Sequence, residues 1–160
     1  MERIDQIIAH NVYRQYLDKI AGWEEKRIFC HHDTNHFLNV ARIGWIINLE
    51  ENIGVDKVYI YAAALLHDIG RFRQYEDGSD HALVSAKLAV PILKDCGFGE
   101  KEQTEIMDAI SSHRNSLISG ERNLRGILYR ADKLSRECYF CPAEKQCDWK
   151  KEKKNKILRY

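Results

Sequence analysis

The stretch Ala62-Ala63-Ala64-Leu65-Leu66-His67-Asp68-Ile69-Gly70-Arg71 carries an adjacent histidine and aspartate at the end of a strongly apolar helical segment. Burying an imidazole and a carboxylate among alanine, leucine and isoleucine costs several kcal/mol unless each group is paired or binds a cation. A divalent metal ion would satisfy both groups at once. The stretch therefore predicts a helix that presents His67 and Asp68 as metal ligands, and Gly70 could supply the left-handed residue that ends it.

Two other helical segments also place a polar side chain among apolar neighbours. His36 lies on the apolar face of a helix predicted over residues 34–51, with Asp33 or Thr34 as its N-cap. Asp132 is likewise surrounded by apolar helical residues. Mixed imidazole and carboxylate ligands suit zinc, iron, manganese, cobalt or nickel better than calcium.

The order of these residues along the chain matches a known motif. His36, the His67-Asp68 pair and the distant Asp132 resemble the HD superfamily of metal-dependent phosphohydrolases, and the resemblance spans residues 33–136. It implies that these four side chains bind a metal ion between the helices of a compact bundle.

Two further histidines, His81 and His113, lie between the His-Asp pair and the last aspartate. This arrangement is similar to a binuclear subgroup of the superfamily, which includes bacterial diadenosine tetraphosphate hydrolases and in which Asp68 would bridge the two metals. The resemblance implies two divalent transition-metal ions (Fe, Mn, Co, Ni or Zn) and no organic cofactor. The expected metal ligands are His36, His67, Asp68, His81, His113 and Asp132.

Helical periodicity dominates the whole sequence, and no segment reads as a strand pair. We predict an all-α fold, a compact single-domain HD-type bundle of about six to eight helices. The predicted domain covers residues 1–160, with a core at 33–136 and a cysteine-containing extension at 137–160. The polar run 150–154 predicts a solvated last helix or tail.

The composition limits the classes of function. With 25 Lys+Arg against 24 Asp+Glu the formal net charge is +1, which argues against a protein that binds long nucleic acid through bulk positive charge. The sequence has no apolar run long enough for a membrane span and no secretory pattern at its amino terminus. We expect a soluble, cytoplasmic protein with a small phosphorylated substrate and no membrane partner, either a monomer or a homodimer.

The expected chemistry is hydrolysis of a phosphoester or phosphoanhydride bond by attack of a metal-bound hydroxide. The substrate would be a small phosphorylated metabolite or nucleotide, with dinucleoside polyphosphates slightly favoured. The alternatives are a nucleoside 5'-monophosphatase and a non-catalytic metal-binding sensor or interaction module. Neither a G-x-x-x-x-G-K phosphate loop nor a G-x-S-x-G elbow is present. The residues expected to act in catalysis are Asp68 and three candidate substrate cations, Arg71, Lys133 and Arg136.

Two groups of residues remain outside the motif. His10, His31 and His32 are interpreted as surface or supporting residues. Three cysteines form a C-x₂-C-x₅-C pattern near the carboxy terminus, which indicates a structural zinc or, second, an iron-sulfur cluster, with unligated thiols as the alternative. The fourth ligand would be Cys30, with His31 or His32 next. The expected cysteine site is Cys30, Cys138, Cys141 and Cys147.

Overall fold

A computed structural model describes residues 1–160 and contains helices and no strands. The all-α prediction is confirmed, and the number of α-helices is eight, joined by three short 3₁₀ turns. The α-helices are α1 (Glu2–Ala9), α2 (Asn11–Glu24), α3 (Thr34–Glu50), α4 (Lys57–Leu66), α5 (Arg71–Asp77), α6 (His81–Asp95), α7 (Glu100–Ser112) and α8 (Leu124–Leu134). The 3₁₀ turns are Ser116–Gly120, Glu144–Gln146 and Lys151–Lys153.

The helices that carry the candidate ligands begin at side-chain caps. Asp33 accepts the backbone N–H of His36 at 2.9 Å, so it is the N-cap of α3. Asp80 caps α6 and Asn123 caps α8 in the same way. An N-cap oxygen satisfies one of the free N–H groups of the first turn. These local interactions therefore set where α3, α6 and α8 start, and they place His36 and His81 near the capped ends of α3 and α6.

Helix α4 lies at the centre of the molecule. Its residues Ile60 and Ala62–Leu66 are buried, and α3, α7, α8, α1 and α6 all pack against it. The run Ala62–Ala64 presents only methyl groups, which lets neighbouring helices approach closely. Because α4 is enclosed in this way, the His67-Asp68 pair that follows it is placed inside the protein.

Gly70 does not have the left-handed conformation that the sequence predicted, since its φ is −87°. It is required for space instead: a Cβ at this position would lie 2.7 Å from the backbone nitrogen of Ser85 and 3.0 Å from the carbonyl oxygen of His81. Its own N–H donates to Ser85 Oγ at 2.9 Å. The glycine thus allows the chain after α4 to pack directly against α6, and the left-handed glycine of this region is Gly78, at the end of α5.

The carboxy-terminal extension folds back onto the end of α8. Asn155 Nδ2 donates to the carbonyl oxygens of Lys133, Leu134 and Arg136, at 2.9, 3.3 and 2.8 Å. The last carbonyls of a helix have no partner within the helix, so this side chain caps α8. The tail after residue 147 is therefore docked on the protein. None of the helices is long and apolar enough to cross a membrane.

Candidate metal centre

Six side chains converge where the ends of five helices meet. His36 lies in the first turn of α3 and His81 is the first residue of α6, while Asp132 lies in the last turn of α8. His67 and His113 directly follow α4 and α7. The structure thus brings together all six predicted ligands: His36, His67, Asp68, His81, His113 and Asp132.

The six residues form two groups of three. In each group one potential ligand atom per residue lies within 4.8 Å of the others; the groups are His36, His67 and Asp132, and Asp68, His81 and His113.

Asp68 belongs to the second group, but its carboxylate also faces the first. Its Oδ2 is 3.3 Å from His67 Nε2, whereas its Oδ1 is 3.1 Å from His81 Nε2 and 3.5 Å from His113 Nε2. Within the first group, His36 Nε2 is 3.6 Å from Asp132 Oδ1. One carboxylate therefore has one oxygen on each side of the centre.

Every one of the four candidate ligand histidines has a partner on its outer nitrogen. His67 Nδ1 is 2.7 Å from the carbonyl oxygen of Ala64, and His113 Nδ1 is 2.7 Å from that of Ile110. An acceptor at Nδ1 fixes the proton there and leaves the Nε2 lone pair free to bind a cation. The remaining outer contacts are His81 Nδ1 to Gln74 Oε1 at 2.6 Å and His36 Nδ1 to Ser135 Oγ at 3.3 Å.

Several inner atoms of the same side chains are buried without a hydrogen-bond partner. They are His36 Nε2, His67 Nε2, Asp68 Oδ1 and Asp132 Oδ1. A buried polar atom without a partner is costly, and most such atoms in folded proteins are paired. Three of these atoms belong to the group of His36, His67 and Asp132, and Asp68 Oδ1 faces His81 and His113, so the donor set fits a metal ion in each group.

The protonation states of His36 and Asp132 also suit a metal. Burial and the neighbouring imidazole of His67 lower the pKa of His36 to about 3, so this ring is neutral at pH 7. Burial raises the pKa of a carboxyl group, but the charges of Lys133 and Arg136 outweigh it at Asp132 and hold that pKa far below its usual value. Neutral imidazoles and ionised carboxylates are the forms that bind metal ions.

The three candidate substrate cations all lie next to predicted ligands. Lys133 Nζ forms a close ion pair with Asp132 Oδ2, and Arg136 Nη2 is 3.6 Å from Asp132 Oδ1. Arg71 Nη1 is 3.1 Å from His81 Nδ1. The guanidinium of Arg136 also lies over the ring of Trp149, 4.2 Å from its centroid, so the tail covers this cation.

The sequence motif gave no reason to treat His32 differently from His10 and His31. It is buried, and its Nε2 lies 3.7 Å from Asp68 Oδ2. Its Nδ1 is 2.5 Å from Oε1 of the buried Glu24, and its backbone N–H donates to the other oxygen of that carboxylate at 2.7 Å. His32 therefore presents Nε2 toward the centre as the four ligand histidines do, whereas His31 is exposed. The only sequence signal for this difference is its position four residues before His36.

All five cysteines are free thiols, and one of them, Cys96, is buried in the hydrophobic core. Cys30 and Cys141 line the same cavity of about 440 Å³, which also reaches His36 and Arg136. No three of the cysteine sulfurs are grouped within metal-sharing distance. The cysteine metal site stays a prediction.

This chain is similar to a known protein family, to a relative of the same length and to a solved structure. The family model described as HD domain matches residues 34–137. An uncharacterized protein of Clostridium beijerinckii is 41% identical over the full length of both chains. The solved structure of a predicted HD superfamily hydrolase from an uncultured Thermotogales bacterium superposes with a TM-score of 0.60 and 30% identity, covering 77% of this chain and 65% of that one.

More distant similarity links the chain to a larger enzyme. Ribonuclease Y 1 of Pediococcus pentosaceus is 25% identical over 68% of this chain, and Ribonuclease Y of Enterococcus faecalis is 24% identical over 70%. The matched part is 19% and 20% of those proteins, so the chain spans about a fifth of their length.

Proposed function

This chain belongs to the HD domain family and is a metal-dependent phosphohydrolase, and we propose that it binds two metal ions and acts on a small phosphorylated metabolite or nucleotide. The observation that supports two ions is the position of Asp68. Its two oxygens face separate groups of ligands, as a carboxylate that bridges two cations requires. The proposed ligands are His36, His67 and Asp132 on one side and His81 and His113 on the other, with Asp68 shared.

Two bound ions would supply Lewis acid chemistry, polarising a phosphoryl oxygen and lowering the pKa of water. The protein's own residues would fix the geometry. The carbonyl partners of Nδ1 would hold the rings of His67 and His113 in one tautomer, and the ion pairs from Lys133 and Arg136 would keep Asp132 ionised and oriented. Arg71 would add positive charge beside His81, where phosphoryl oxygens must be neutralised.

The size of the adjoining cavity supports a small substrate. The cavity of about 440 Å³ that reaches His36 and Arg136 is within the range that holds small molecules. Within this class we favour dinucleoside polyphosphates over nucleoside 5'-monophosphates. The name of the Ribonuclease Y relatives adds RNA as the main competing substrate.

A substrate panel tests the proposal. Purified protein with Fe²⁺, Mn²⁺ or Co²⁺ is assayed for phosphate release or product formation with diadenosine tetraphosphate, nucleoside 5'-monophosphates, cyclic nucleotides and short RNA. We expect turnover of a small phosphorylated compound that requires added metal. Hydrolysis of RNA alone would overturn the substrate class, and metal binding without any hydrolysis would favour the sensor alternative.

Metal analysis of two variants tests the two-ion centre. Asp68→Ala should lose both ions and all activity because this carboxylate serves both groups, whereas His113→Ala should lose mainly one ion. Elemental analysis gives the metal content per chain, and circular dichroism checks that both variants are folded. Equal metal content in the two variants would contradict the bridging role of Asp68.

A further inference from the structure

The tail and the end of α8 enclose a cleft of about 680 Å³ that is strongly positive. Seven of its thirteen lining residues are lysine or arginine, and Glu152 is its one carboxylate. The cleft also has an apolar part, formed by Tyr129, Leu134, Trp149 and Ile157. The chain as a whole is nearly neutral, so this cluster is a local concentration of positive charge.

Some of these cations are already paired, and others are free to bind a ligand. Arg130 pairs with Glu51 at 2.9 Å and Arg114 with Asp80 at 3.3 Å, and Lys154 and Lys156 pair with Glu144 at 3.3 and 2.5 Å. In contrast, Lys153 and Arg159 are exposed and form no ion pair. The cleft therefore keeps an excess of positive charge after its internal ion pairs are counted.

The cleft begins beside the metal centre. Lys133 lines the cleft and forms an ion pair with the proposed ligand Asp132. Arg114, another lining residue, directly follows His113. Lys133 therefore joins the cleft to the candidate metal centre.

Specific contacts fix the wall that the tail contributes. Asn155 caps α8, and Lys154 Nζ donates to the carbonyl oxygens of Glu144 and Cys147 at 2.8 and 3.0 Å. The stack of Arg136 on Trp149 joins the tail to the residue that pairs with Asp132. The wall of the cleft is thus built by the fold, and its paired cations Arg130, Lys154 and Lys156 are held in place before a ligand arrives.

We propose that this cleft binds the phosphate chain of a small molecule that carries two or more phosphates and an apolar or planar group such as a nucleoside. Clustered lysine and arginine side chains bind several phosphates better than one, and the apolar lining gives the nucleoside a surface to contact. The volume of about 680 Å³ is in the range of small-molecule sites. The role of the cleft as a substrate site rests on the proposed function. The binding of polyphosphate in the cleft does not depend on that function.

Calorimetric titration of the full-length metal-loaded protein tests the proposal, with β,γ-methylene ATP and AMP as probes. We expect the triphosphate to bind more tightly than AMP and to weaken more as potassium chloride is raised. Replacing both free cations (Lys153→Ala with Arg159→Ala) should weaken triphosphate binding roughly tenfold, and AMP binding much less. The matched control replaces two exposed lysines outside the cleft, Lys87 and Lys101, with alanine and should change neither.

Three outcomes would overturn the proposal. These are equal affinity for triphosphate and AMP, equal loss of triphosphate binding in the control variant, and tighter binding of a short single-stranded RNA that the cleft variant abolishes. Failure of the proposed function would give a different result from failure of this proposal. No compound in the substrate panel would be hydrolysed, but the protein would still bind the triphosphate more tightly than AMP.

Discussion

Glu24 is the residue that links the metal centre to the surrounding helices. Its carboxylate contacts His32 through both oxygens and also accepts the hydroxyl of Tyr75 at 2.5 Å. His32 in turn lies 3.7 Å from Asp68, so Glu24 holds a fifth imidazole in place beside the proposed ligands. We expect this buried carboxylate to contribute both to stability and to the position of Asp68.

The pKa of Glu24 gives a prediction with a definite sign. Burial alone would raise it, but the hydrogen bonds and charge of His32 and the hydroxyl of Tyr75 outweigh burial and lower it from 4.5 to about 2. A carboxyl group whose pKa is lowered by folding stabilises the protein above its unfolded pKa. That stability is lost as pH falls through the folded pKa.

Glu24→Gln should therefore be less stable than the wild type at pH 7, by on the order of 3 kcal/mol. The difference should shrink as the pH is lowered from about 4.5 toward 2. Urea unfolding with a chelator present measures it, and Glu25→Gln, at an exposed neighbouring position, is the control. A difference that is the same at pH 7 and pH 3 would contradict the assigned role.

At the scale of elements, the close approach of the loop after α4 to α6 decides how Asp68 meets His81. Gly70 allows this approach, since a side chain there would overlap the backbone of α6. Gly22 offers a contrast, because it lies on the exposed side of α2 with nothing within 4 Å of a Cβ.

Gly70→Ala should lower the free energy of unfolding by roughly 1–3 kcal/mol, because the added methyl group overpacks the contact. It should also reduce the metal content, since the strain lies between Asp68 and His81. Gly22→Ala should raise the stability by about 0.5–1 kcal/mol, as alanine is the better helix former. Denaturant unfolding and elemental analysis of both variants check this pair, and the prediction fails if Gly70→Ala matches the wild type in both.

At the scale of the whole molecule, the centre joins five helices that are distant in the sequence. Four buried atoms of the proposed ligands have no hydrogen-bond partner within the protein. A cation that binds them only in the folded state stabilises every helix of the bundle together.

The melting temperature should therefore rise with the concentration of Mn²⁺ or Co²⁺ and fall when a chelator is added. The expected gain is about 3 kcal/mol when free metal is about 100 times its Kd. Differential scanning calorimetry measures the shift, and Asp132→Asn should reduce it because a neutral amide is a weaker ligand. A melting temperature that does not respond to any divalent transition metal would argue against a metal centre formed by these residues.

The sequence by itself determined the helical architecture and the residues to examine at the site. Helical periodicity and N-caps such as Asp33 are local properties, so they can be read from neighbouring residues. The unusual burial of His67-Asp68 was also visible locally, because a polar pair at the end of an apolar helix needs a partner wherever the helix packs.

Only the tertiary structure decided how these parts meet. It divided the six predicted ligands into two groups of three, with Asp68 facing both, and it separated the buried His32 from the exposed His31. It also showed that Gly70 is needed for space, and that the tail cations, such as Lys153, gather around a cleft. These features depend on distances between residues far apart in the chain. Helix packing sets those distances, and neither composition nor spacing along one helix records them.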